Sequence, residues 1–279
     1  MTKPELTGSV HELLSALQNN FVSLAAQAKS QQHSVIERRS IDDALRAIKS
    51  SIDTLLQELD PIKQPSAVFD PSNPEIIGRF ISLALVAQEP QQLASVEKFY
   101  GSGVYAIYYK GGFPLYAPIA NSETPIYVGK ASPAIPNARN PLEQGDRLAR
   151  RLDDHRKNIS KAKSTLVIDD FQCRFLVVQS GYETAAENFL IHLFHPIWNS
   201  ETDILYGLGK HGDSADTRAN RRSPWDTMHP GREWAAKTTT DARSKSGIEA
   251  GLEKHFAKTR VYKNLEEVLE EFLSELRQL

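Results

Sequence analysis

Along the first sixty residues the apolar positions recur at helical spacing. Ile41, Leu45, Ile48, Ile52, Leu55 and Leu59 follow one another at intervals of 4-3-4-3-4, the a/d seam of a helix that pairs with others. Ser40 with Asp43 resembles a capping box at its start. Upstream, Leu13, Leu17, Phe21 and Leu24 form a looser stripe, and the polar stretch Lys29 to Ser34 separates the two. The pattern predicts a helical hairpin whose seam either packs on a core of its own or pairs subunits. Pro61, Pro65, Pro71 and Pro74 then mark a linker. Asn73-Pro74 is a favourable helix start. Ile76, Ile77, Phe80, Ile81, Leu83 and Leu85 predict a buried helix over 74–88, ended by Pro90.

From residue 100 the period changes. Gly103-Val104-Tyr105-Ala106-Ile107-Tyr108-Tyr109 and Pro125-Ile126-Tyr127-Val128-Gly129-Lys130 are β-branched and aromatic, and they predict strands over 103–110 and 124–129. The segment between them is too long for a tight hairpin, and its Tyr116 reads as packing. A helix over 142–162 turns Leu148, Leu152 and Ile159 inward and lines Arg147, Arg151 and His155 along one flank. A third strand over 173–179 and an apolar helix over 183–195, stopped by Pro196, complete a β-β-α-β-α core. The expected fold is therefore α+β, a small antiparallel three-stranded sheet flanked by helices. A closing amphipathic helix over 264–278 carries Leu265, Leu269, Phe272 and Leu276. The expected division is 1–64 for the hairpin, 65–235 for the core with its insertions, and 236–279 for a helical extension.

Composition narrows the class. The 279 residues are 40% hydrophobic and 24% charged, as in soluble globular proteins. A lone cysteine, Cys173, excludes an internal disulfide and a cysteine zinc site. No apolar run reaches membrane-spanning length, and the start lacks a basic-then-apolar leader, so the expectation is a cytoplasmic protein without a membrane partner. Net charge is −2, yet residues 139–163 hold eight basic residues against four acidic, and 207–245 hold eight against five. Two local excesses point to a phosphate-binding surface. Gly207-Leu208-Gly209-Lys210-His211-Gly212 matches a dinucleotide fingerprint by count, but it follows no strand and opens no helix, which excludes that site.

Each tyrosine-glycine strand taken alone is ordinary strand filler. Gly103-Val104-Tyr105 and Tyr127-Val128-Gly129, followed by Arg151, His155, Glu187 and Asn199, together resemble the GIY-YIG nuclease family and its type II restriction enzymes. The side chains suit phosphodiester hydrolysis. Glu187 is a hard oxygen ligand for a single Mg²⁺ that keeps several waters. Arg151 presents a charged planar fork to phosphate oxygens. His155 can take a proton near neutrality, whereas an isolated Tyr105 is a poor base; beside a metal, an arginine and a histidine its phenolate becomes accessible. The resemblance implies a one-metal reaction with Tyr105 and His155 activating water, Tyr127 orienting or relaying, Arg151 on the phosphate, Glu187 on the metal and Asn199 positioning. Which of Tyr105, Tyr127 and His155 is the base stays open, and Glu183 is a rival metal ligand.

Lys130 is expected to touch phosphate, and Arg218, Arg221, Arg222 and Arg232 to meet guanine edges or phosphates. The resemblance further implies a homodimer cutting both strands of a palindromic double-stranded DNA site, with GC-rich sites such as CCGCGG among those of its relatives. A tetramer follows if the hairpin seam adds a second interface. Two alternatives remain at this point: a structure-specific or repair nuclease of the same family, and a non-catalytic DNA-binding oligomer.

Overall fold

The computed structural model describes residues 8–30, 35–62, 68–209 and 221–277. The chain divides into two compact units, Met1–Val68 and Phe69–Leu279. In the first, helices α1 (Gly8–Ser30) and α2 (Val35–Leu59) form the expected hairpin. Its seam is not a core of its own. No residue of α1 is buried, and Leu14, Leu17 and Phe21 line an apolar groove with Leu45, Ile48 and Ile52 of α2. Phe21 remains 57% exposed.

The second unit is α+β. Its antiparallel sheet has the order β1-β4-β2-β3, with β1 at Gln91–Gln92, β2 at Gly103–Tyr109, β3 at Tyr127–Ala131 and β4 at Phe171–Val177. Four strands replace the three expected. The extra one is two glutamines set opposite Cys173 and Gln172 of β4. Backbone pairing alone makes this strand, so it leaves no side-chain alternation to read.

The strand period decides what each face of the sheet meets. Tyr105, Ile107 and Tyr109 of β2 enter one cluster with Leu148, Leu152 and Ile159. Those three belong to helix α5 (Arg147–Lys161), which follows the short helix α4 (Pro141–Gln144). The single helix expected over 142–162 is broken at Gly145, whose φ of 71° favours glycine. Val104, Ala106 and Tyr108 face the opposite way, into a cluster with Leu85 and Val86 of α3 (Pro74–Val86) and Leu190 and Phe194 of α6 (Glu183–Phe194). Here α3 and α6 touch closely: a Cβ on Gly78 would lie 2.7 Å from the Ala185 backbone. Ser82 fixes the same contact by donating to Gly78 O at 2.7 Å and Ala186 O at 3.2 Å.

Beyond α6 come α7 (Pro224–Met228), α8 (Glu233–Ala236), α9 (Lys245–Phe256) and α10 (Leu265–Leu276). Helix α9 was not expected; Ile248 and Leu252 anchor it in the α5-side cluster. Val268 and Phe272 of α10 join the α6-side cluster. Among the described residues no helix is long and apolar enough to cross a membrane.

Candidate active site

The two tyrosine-glycine tripeptides lie side by side. Tyr105 of β2 is opposite Gly129 of the edge strand β3. A Cβ on Gly129 would sit 2.5 Å from Tyr105 Oη and 2.6 Å from its Cζ. A Cβ on Gly103 would sit 2.0 Å from the Leu176 carbonyl oxygen. Both motif glycines are thus set by what stands over them, the first by a neighbouring strand and the second by the phenol itself. Asn199 acts as a substitute strand for the open edge. Its Oδ1 accepts from Val128 N–H at 2.9 Å, and its Nδ2 donates to Val128 O at 2.9 Å. Asn199 therefore holds the backbone between Tyr127 and Gly129.

Helix α5 is fastened to the chain that enters β2. Gly101 N–H donates to Gly145 O at 2.7 Å, and Leu148 N–H donates to Gly101 O at 3.0 Å. Gln144 accepts from Ser102 N–H at 2.9 Å and donates to Val178 O at 2.8 Å. These bonds bring the Arg151 and His155 flank over the tyrosines. His155 is buried, with Nε2 2.6 Å from Tyr105 Oη. Its ring centroid is 4.9 Å from that of Tyr127, and the two tyrosine rings are 6.0 Å apart. The Arg151 guanidinium faces both phenols.

Burial sets the protonation states. It holds His155 well below the usual imidazole range, and the positive charge of Arg151 adds to this. It pushes the Tyr105 phenol well above its ordinary range, Tyr127 adds to the rise, and Arg151 opposes it. Burial also raises Tyr127, against Arg151. These residues alone therefore pair a neutral imidazole with a neutral phenol at neutral pH; the favourable effect of Arg151 on a phenolate is outweighed by desolvation. With Nε2 accepting the Tyr105 hydroxyl, the ring proton is on Nδ1, which has no hydrogen-bond partner among the described residues.

Glu187 comes from α6, across the sheet. It meets Lys130, whose side chain leaves β3 toward that layer, with Nζ–Oε2 at 3.2 Å. Burial raises the Glu187 carboxyl, Lys130 opposes the shift, and Glu201 adds to it. The Glu187 charge also reaches Tyr127. Glu183, the rival ligand, is buried and accepts from Gly181 N–H at 2.8 Å at the start of α6. Among the described residues no group of three or more His, Cys, Asp or Glu could enclose an ion. A single partly exposed carboxylate fits Mg²⁺, which keeps most of its shell as water and substrate oxygens, while the Lys130 ammonium stands beside it.

The basic candidates separate. Lys130 borders the site. Arg218 lies outside the described residues. Arg221 is exposed. Arg222 pairs with Asp241 at 2.7 Å, and its backbone bonds Thr240 and Ala242. Arg232 overturns its expected role at a guanine edge, because it is 2% exposed. Its Nε and Nη2 donate to both oxygens of Asp226, at 2.7 and 2.8 Å. Its remaining donors go to the carbonyls of Gly207, Leu208 and Gly209. It is also stacked on Trp225 and Trp234. Two residues that sequence reasoning missed also shape the site. Gln144 sets the helix against the strand, and Thr184 accepts from Lys130 Nζ at 2.9 Å. Only the position of Thr184, three residues before Glu187 on one helix, hinted at its involvement.

Paired strands that present two tyrosines beneath an arginine-histidine helix flank define the class: a nuclease of the GIY-YIG kind, which is a hydrolase. A family model described as the Eco29kI GIY-YIG domain matches residues 97–256, more than half of the chain, and the chain belongs to this restriction endonuclease family. The match takes in every candidate catalytic residue and leaves out α1 to α3. A comparison with curated proteins gave no match.

Proposed function

We propose that this nuclease is a type II restriction endonuclease. It hydrolyses phosphodiester bonds in both strands of a short palindromic duplex, with Mg²⁺ as cofactor and as a homodimer. The observation that carries the reading is the convergence of Tyr105, Tyr127, Arg151 and His155 at one edge of the sheet, with Glu187 reaching the same edge from the other layer. A buried tyrosine-histidine pair with one ring nitrogen left without a hydrogen-bond partner supports a catalytic use over a purely structural one.

In the reaction the neutral His155 is the proton sink. Its Nε2 takes the Tyr105 hydroxyl proton as Tyr105 Oη takes one from the attacking water. The water oxygen bonds to phosphorus, the P–O bond to the leaving sugar oxygen breaks, and that oxygen is protonated from solvent. Arg151 offers its donor fork to the phosphate oxygens. Tyr127 orients the phosphate, and Asn199 keeps Tyr127 in place. Glu187 would hold Mg²⁺, which supplies Lewis-acid stabilisation of the developing charge. Lys130 and Arg221 border the DNA path. The hairpin of α1 and α2 carries an apolar groove suited to a second copy, which is the basis for a higher assembly.

Digestion of a large plasmid with Mg²⁺ and with EDTA, followed by sequencing of the ends, tests the reading. Discrete fragments with one palindrome at every end are expected in Mg²⁺ alone, and CCGCGG is the first site to compare. A smear, or cutting restricted to branched DNA, would reassign the enzyme to the structure-specific alternative.

A further inference from the structure

Lys130 is held more firmly than a lysine awaiting a phosphate need be. Its ammonium lies 3.2 Å from Glu187 Oε2 and donates to Thr184 Oγ1 at 2.9 Å. Thr184 and Glu187 are three residues apart, so they form one cradle on one face of α6. The lysine crosses to them from β3, where its neighbour Gly129 lies against Tyr105. The Lys130 and Glu187 side chains remain 28% and 19% exposed, so solvent ions can reach the pair. An ammonium therefore occupies the carboxylate that the proposed function gives to the divalent ion.

We propose that Lys130 is an exchangeable place-holder for that ion. It neutralises Glu187 while DNA is absent, and a DNA phosphate draws it off, freeing the carboxylate. The inference rests on the reading of Glu187 as the metal carboxylate. Two cations cannot share one carboxylate oxygen without strong repulsion, so lysine and divalent ion exclude each other there. DNA that engages Lys130 then strengthens ion binding, and by linkage the ion strengthens DNA binding by the same factor. An enzyme built in this way assembles its full site only on substrate.

Titration of the DNA-free, full-length protein with Mn²⁺, followed by electron paramagnetic resonance of the free ion, tests this. Lys130→Met and Lys130→Gln should each bind Mn²⁺ with a Kd about tenfold or more below wild type, within the usual range of coupling between sites. Lys130→Arg, which keeps the charge, should stay close to wild type. Adding Glu187→Gln to Lys130→Met should abolish the gain. Equal Mn²⁺ affinity in wild type and both neutral variants overturns the place-holder role. If the ion is still lost with Glu187→Gln, the metal assignment survives that failure. Mn²⁺ binding that persists in the double variant overturns both.

Discussion

Two buried tyrosine-histidine pairs show how surroundings give one chemical pairing different uses. In the first, Tyr105 meets His155 and a ring nitrogen is left without a partner. In the second, Trp198 Nε1 donates to Tyr116 Oη at 2.9 Å, Tyr116 meets His229, and His229 Nδ1 lies 2.9 Å from Thr165 Oγ1. Every polar atom of that chain is satisfied, and it joins the C-terminal segment to the core. Burial lowers both histidines, His155 well below the usual range and His229 to about 3. Below about pH 6.5 the unfolded chain takes up protons on these rings while the folded chain does not. Stability is therefore full above that pH and falls as the pH drops toward 3. Between pH 7.5 and 5.0, urea unfolding should lose roughly 2 kcal/mol of stability from His229, and His155 acts in the same direction. His229→Gln should flatten the dependence, and an unchanged slope in that variant would refute the account.

At the scale of elements, the pairing of β2 with β3 is the feature on which the site depends. Gly129→Ala places a methyl group 2.5 Å from Tyr105 Oη, against a phenol that cannot retreat into a packed core. Overpacking of this kind costs about 1–3 kcal/mol, and here it also displaces the oxygen bonded to His155. Thermal unfolding together with single-turnover cleavage should show both losses; a variant with wild-type rate would mean that the tyrosine tolerates the shift. These strands were legible because Val, Ile and Tyr cluster between turn residues, and Arg151 and His155 because they fall one turn apart. Helix α9 was not, since Gly247 and Gly251 interrupt it and its buried apolar residues are Ile248 and Leu252. Nor was β1, whose glutamines pair through backbone alone. Arg232 was misread for a related reason. A basic residue in a polar loop is solvated by default, and only the fold brings Asp226 and three carbonyls around it.

For the whole molecule, the unit Met1–Val68 offers apolar surface that its own helices leave uncovered. The seam spacing was readable from sequence, but what covers the seam is not something one chain's pattern can specify. Replacing Leu45 and Ile52 with glutamate in the full chain should lower the solution mass by light scattering, because the charges would face the same groove on a second copy. An unchanged mass would remove the hairpin from the assembly.

The Arg232 clamp has a consequence for how this part of the enzyme can be re-engineered. Gly207 to Gly209 are gripped by one guanidinium, and Asn158 of α5 donates to Leu208 O at 3.1 Å. On the far side, Arg222 is fixed to Thr240, Asp241 and Ala242. The Arg232 anchor and the Arg222 anchor share no residue, so either can be remade without unfastening the other.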